Sequence, residues 1–168
     1  MSIIYVDSYK QISTFPSSGL IAHYDPGDAA SYPGSGTTVT DLTGGNDGTL
    51  TSVNYSASNG GVFSIPTGYI SLANMQSHVQ GVQAFSVAMF VNTTGGTAST
   101  GLFSINLGTD SAKDIFLALS GNEMFFQVNA VSDGGWFYAR PAAGWCSLVA
   151  IFDGTQPAES RARVLPDA

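Results

Sequence analysis

The period of the apolar residues constrains this chain most. In "AFSVAMFVN" (Ala84–Asn92) and "IFLALSGNEMFFQV" (Ile115–Val128) apolar side chains alternate or stand in short blocks bounded by Gly, Asn, Asp, Ser or Pro. Alternation at period two puts one set of side chains on each face of an extended strand, whereas a helix needs them three and four positions apart. Strands are therefore expected at Gly19–Tyr24, Gly61–Ser64, Tyr69–Ser71, Ala84–Asn92, Gly101–Leu107, Ile115–Ser120, Glu123–Val128 and Ser147–Phe152. Gly121-Asn122 reads as a hairpin connection supplying positive φ, and Asp133-Gly134-Gly135 as a turn entering a strand at Trp136. "MQSHVQGVQ" (Met75–Gln83) reads as a loop with one helical turn, because Gly81 and the β-branched Val79 and Val82 weaken anything longer. Many short strands with turn signals between them describe an all-β sandwich or jelly roll.

A chain of 168 residues suffices for one domain with a substantial core. That domain is expected over residues 18–168. Residues 1–17 carry apolar anchors at Ile3, Ile4, Tyr5, Ile12 and Phe15, and read either as an added edge strand or as an arm that docks on a neighbouring subunit. The net charge is −7, yet only 10% of residues are charged and the five basic ones form no cluster. A nucleic-acid partner needs a basic face to displace counterions, so none is expected. No stretch approaches the roughly 18 apolar residues of a membrane span, and "MSIIYVDSYKQISTF" lacks the basic start and long apolar core of a signal peptide. Cys146, the single cysteine, allows neither an internal disulfide nor a multi-thiolate zinc site.

Four of the twelve acidic residues, Asp25, Asp28, Asp41 and Asp47, fall in one turn-rich stretch. Calcium takes six to eight oxygen ligands, and these acids with Asn46 could supply some of them if their loops converge. The same residues are good turn formers, since Asp before Pro-Gly bonds local backbone amides. Turn structure is the preferred reading, and a calcium site at Asp25, Asp28, Asp41 and Asp47 the second. His23 and His78 form no metal motif, and no Gly-x-Ser-x-Gly elbow is present. Trp136, Phe137, Tyr138 and Trp145 lie close in sequence. Trp145, inside "GWCSLVAIF", is expected in the core; Trp136 and Tyr138, with Asp41 for hydroxyl contacts, are the candidates for stacking on a glycan.

The stretch "GLIAHYDPGDAASYPGSGTTVTDLTGGNDGTL", with "AFSVAMFV", "LFSI" and "GWCSLVAIFDG" further on, resembles laminin-G-like, concanavalin A-like domains, especially those of bacteriophage structural proteins. The resemblance covers about Gly19 to Gly154 and implies a jelly-roll sandwich. Two departures stand out: Phe90 occupies a position where Trp is common, and the sequence ends at "ESRARVLPDA", soon after the Phe-Asp-Gly turn. The last strands are accordingly expected to be absent, cut off by truncation, or supplied by a neighbour.

Glucanases of similar fold carry an alternating Glu-x-Asp-x-Glu strand, and a retaining mechanism needs two carboxyl groups about 5–5.5 Å apart. Here the only glutamates are Glu123 and Glu159, with no such alternation, so no enzyme is expected. The function expected is a noncatalytic virion component, a capsid decoration or cement protein on the capsid exterior. It would brace neighbouring subunits through contacts with the major capsid protein and with copies of itself as a trimer. The alternative is a carbohydrate-binding module of a tail fibre, spike or head fibre.

Overall fold

The computed structural model describes residues 2–6, 18–93, 100–105, 115–128, 135–139, 143–157 and 161–166, with backbone alone for 2–6, 135–137 and 166. Its described elements are strands, one short α-helix and one 3-10 turn, so the all-β expectation holds. The chain divides into two compact units, Ser2–Met75 and Gln76–Ala168. The boundary expected after residue 17 lies outside the described residues.

In the first unit β1 (Ser2–Val6) pairs in parallel with β2 (Leu20–Tyr24), with Ile4 opposite Ala22 and Val6 opposite Tyr24. These five residues of the expected arm are thus a strand of their own chain. An antiparallel sheet joins β3 (Thr38–Val39), β4 (Gly48–Thr51) and β7 (Tyr69–Leu72), and β5 (Asn54–Ser56) with β6 (Val62–Ser64) forms a separate hairpin. The Tyr32 ring meets both Tyr55 and Phe63 edge-on at 5.0 Å, the arrangement that the ring quadrupole favours. The Tyr32 hydroxyl donates to the Gly36 carbonyl at 2.9 Å, so the ring is apolar packing at one end and a loop clasp at the other.

The one α-helix among the described residues, α1 (Met75–Val79), is as short as its glycine and β-branched neighbours imply. The second unit holds β8 (Ala84–Asn92), β9 (Thr100–Ile105), β10 (Ile115–Ser120), β11 (Glu123–Val128), β12 (Gly135–Ala139), β13 (Trp145–Asp153) and β14 (Ala162–Pro166). All pair antiparallel, in two groups ordered β14-β13-β8 and β12-β11-β10-β9. The turn joining β10 to β11 has positive φ at Gly121 but not at Asn122, the sign pattern of a type II′ hairpin.

Strand alternation decides what these sheets bury. Phe85, Val87 and Met89 of β8, with Leu148, Ala150 and Phe152 of β13, point inward. The other sheet contributes Ile115, Leu117 and Leu119 from β10 and Met124, Phe126 and Val128 from β11. Phe85 meets Phe126 edge-on at 6.5 Å and lies 5.5 Å from Phe152, so the two faces interdigitate. The Tyr138 hydroxyl of β12 donates to the Ala162 carbonyl of β14 at 2.6 Å, a polar tie between the sheets.

Strand β14 was not among the strands expected from the sequence. After the turn at Asp153, residues Ala162–Pro166 return antiparallel along β13, with Phe152 opposite Ala162 and Leu148 opposite Pro166. Ala162 and Val164 are buried while Arg163 and Leu165 are exposed. This is period-two alternation too short, and too marked by arginine, to stand out in the sequence.

Phe126 is fully buried where the two sheets meet. Replacing it with Ala is expected to cost about 3–5 kcal/mol through lost burial and the cavity left behind. Chemical denaturation should show the drop, while Leu165→Ser, on the exposed edge strand, should shift the midpoint little.

Candidate functional site at Asp41

The acidic residues of the first unit take two forms. Asp25 and Asp28 serve their own turns: Asp25 Oδ1 accepts the Gly27 N–H and Asp28 Oδ1 the Ala30 N–H, each at 2.8 Å. These bonds to the residue two positions on are Asx turns, which the "DPGD" sequence favours. Ser31, fully buried, links this turn onward; its hydroxyl accepts the Asp25 N–H at 3.1 Å and donates to the Thr40 carbonyl at 2.8 Å.

Asp41 differs in kind. Only 2% of it is exposed, and its carboxylate is surrounded by donors. Oδ1 accepts the backbone N–H of His23 and of Thr43, both at 2.9 Å. Oδ2 accepts the Asn46 N–H at 3.2 Å and the Asn46 side-chain amide at 3.3 Å. The Thr43 hydroxyl lies 2.8 and 2.9 Å from the two oxygens and 2.9 Å from the Ile21 carbonyl, and its one hydrogen serves one of the three. A carboxylate has about four lone-pair sites, and here they are taken.

The same bonds join distant pieces of chain. The His23 carbonyl accepts the Leu42 N–H at 2.9 Å, Asn46 Nδ2 donates to the Ile21 carbonyl at 3.0 Å, and Asp47 Oδ1 accepts the Asp41 N–H at 2.9 Å. The Tyr24 hydroxyl donates to the Asn46 carbonyl. Loop 41–47 is thereby fastened along β2. Burial pushes the Asp41 carboxyl up, but the N–H groups of His23 and Thr43, the Thr43 hydroxyl and the Asn46 side chain outweigh it and hold the group below the ordinary carboxylate value. Burial pushes the Tyr24 phenol up, and the charges of Asp41 and Asp47 push the same way.

Of the four acids considered for calcium, the fold brings Asp41 and Asp47 together and keeps Asp25 and Asp28 in turns of their own. Calcium needs oxygens converging on one point; around Asp41 it is N–H donors that converge on an oxygen pair. Among the described residues no group of three or more His, Cys, Asp or Glu side chains is placed to hold a metal ion.

The glycan candidates belong to different units. Asp41 is buried in the first unit, while Tyr138 and Trp136 belong to the second. Tyr138 is half-buried with its hydroxyl engaged, and burial raises its phenol against the opposing effect of Arg163. Trp136 stands opposite Phe126 in the β12–β11 register, and its side chain lies outside the described residues. Trp145 requires a correction. It is 42% exposed, not in the core, and lies stacked on Phe90 at 5.1 Å with the planes 10° apart. The reason is parity: the inward set of β13 is Leu148, Ala150 and Phe152, which puts Trp145 on the opposite face.

Glu123 is exposed beside the β10–β11 turn, opposite Ser120, and Glu159 lies outside the described residues. Thr43 and Ser31 were not singled out in the sequence. Asp41-Leu42-Thr43 is a local signal for the first, since Asp bonds the amide two residues on. Comparison with family models, with curated proteins and with solved structures finds no match.

Asp41→Asn replaces one acceptor oxygen with a donor facing N–H groups. It is expected to lose about 1–3 kcal/mol, the range for a buried polar group left unsatisfied. Because the folded carboxyl is held below its unfolded value of 3.8, its contribution is fully present above that pH and fades as the pH falls through the folded value. Denaturation midpoints from neutral to acid pH should show this loss in the parent chain and a smaller one in Asp41→Asn.

Proposed function

We propose that this chain is a noncatalytic structural component of a virion, a decoration or cement protein that braces neighbouring subunits on the capsid exterior. The observation that carries the reading is apolar side chains exposed on a protein with little charge. Ile65 and Tyr69 in the first unit are 43% and 59% exposed, and Leu165 on β14 is 54% exposed. In the second unit Leu165 stands opposite Val149, and Ile151, Phe90 and Trp145 belong to the same outward side of β14-β13-β8 by strand parity. Exposed apolar surface of this kind marks interaction sites, and interfaces of permanent assemblies are more apolar than ordinary surface.

The resemblance of "GLIAHYDPGD" through "GTL" to laminin-G-like domains of phage structural proteins supports the same reading, as do the two facing antiparallel sheets. On this reading the fold is a concanavalin A-like jelly roll and the partners are the major capsid protein and two further copies of the chain. A second reading, a carbohydrate-binding module of a fibre or spike, is favoured by one feature: the Trp145 indole stacked on Phe90 and open to solvent. A flat apolar surface of that kind suits the hydrophobic side of a sugar ring.

Quantitative mass spectrometry of purified particles, scaled to the major capsid protein, separates the two. Copy numbers comparable to those of the capsid protein are the expected result. A few copies per particle, together with glycan affinity that Trp145→Ala abolishes, would select the fibre module. Absence from particles would refute both.

A further inference from the structure

Asn59-Gly60 is the only Asn-Gly pair in the chain. It occupies the exposed 3-10 turn Ser58–Gly60 between β5 and β6. Asn59 has left-handed backbone angles, φ 55° and ψ 32°, and the bond closing the turn runs from the Gly61 N–H to the Ser58 carbonyl. Beneath the turn the chain crosses another segment backbone to backbone. A Cβ on Gly27 would fall 1.8 Å from the Gly60 carbonyl oxygen, and one on Gly61 would fall 2.5 Å from the Pro26 oxygen. No atom can be added at this crossing without moving one of the two turns.

We propose that Asn59 is a site of spontaneous covalent modification and that one of its two products separates the β5–β6 turn from the Asp25–Asp28 turn. The Gly60 amide nitrogen gives its proton to base and attacks the side-chain carbonyl carbon of Asn59. The new C–N bond closes a five-membered succinimide as the side-chain nitrogen leaves as ammonia. Gly60 presents no Cβ to obstruct the approach. Water then opens the ring at either carbonyl. One opening gives aspartate; the other gives isoaspartate, with the main chain routed through the Asn59 β-carbon. The net change is water in and ammonia out, with no oxidation or reduction.

The two products differ where the crossing is tight. Aspartate adds a charge but leaves the backbone length unchanged. Isoaspartate adds a methylene to the backbone of a turn that cannot accept even a methyl group beneath it. The Asp-Gly pairs at Asp47 and Asp153 are internal comparators. Asp47 Oδ1 accepts the Asp41 N–H, Asp153 Oδ1 accepts the Thr155 N–H at 3.0 Å and hydroxyl at 2.6 Å, and a carboxylate is the poorer electrophile.

The test holds the full folded chain in mildly alkaline buffer beside the same chain unfolded in urea, with peptide mapping over time. The folded chain is expected to gain one mass unit in the peptide containing Asn59, faster than at any other asparagine and at a rate comparable to that in urea. Isoaspartyl methyltransferase should label that peptide, and Asn59→Gly should abolish the change there. The isoaspartyl fraction, resolved by ion exchange, should unfold at lower denaturant than Asn59→Asp, which carries the charge without the added methylene. Conversion in urea but not in the folded chain would overturn the site. Equal stability of the isoaspartyl form and Asn59→Asp would overturn the proposed separation of the turns.

Discussion

The first unit depends on a carboxylate removed from water. An ionised group inside a protein is tolerable only when donors replace its hydration, and Asp41 obtains them from its own turn, from Asn46 and from β2. The requirement acts in both directions. Because the carboxylate must be satisfied, loop 41–47 has one acceptable position along β2; because the loop lies there, Ile21 and His23 find partners for main-chain groups on that side. Tyr24 and Asp47 extend the arrangement from either end. A turn-rich segment with few apolar residues thereby acquires a defined path that hydrophobic burial alone would not specify.

The second unit rests on different physics. Its order comes from the parity of apolar residues along antiparallel strands, with Phe85, Phe126 and Phe152 at the contact between sheets. A polar bond, from the Tyr138 hydroxyl to the Ala162 carbonyl, ties the sheets beside it. One chain therefore uses a hydrogen-bonded carboxylate to fix loops and interdigitated side chains to fix sheets.

These two mechanisms differ in how visibly they are written. Strands β8, β10 and β11 coincide with their expected bounds because alternation is local and long enough to read. The Asx turns at Asp25 and Asp28 were legible for the same reason, each bond spanning two residues. Strand β14 was not legible, since its alternation covers only a few residues and includes an arginine. Trp145 was misplaced because an aromatic residue beside an apolar run suggests burial, whereas its parity relative to Leu148 decides otherwise. The centre at Asp41 was half legible. The sequence marks the acid, but Thr43 was not singled out, and the His23 N–H comes from 18 residues away, where only the folded path of β2 brings it.

Loop 41–47 also bears on how molecules of this protein meet. A strand with one unpaired side is a template on which another chain can extend a sheet. Beside β2 that template is occupied, since His23 gives its N–H to a side chain and its carbonyl to Leu42. At β14 the Ala162 carbonyl is taken by Tyr138, and Pro166 has no N–H to offer. The net charge of −7 keeps copies of the protein apart at long range. Strand-edge groups occupied in this way do part of that work.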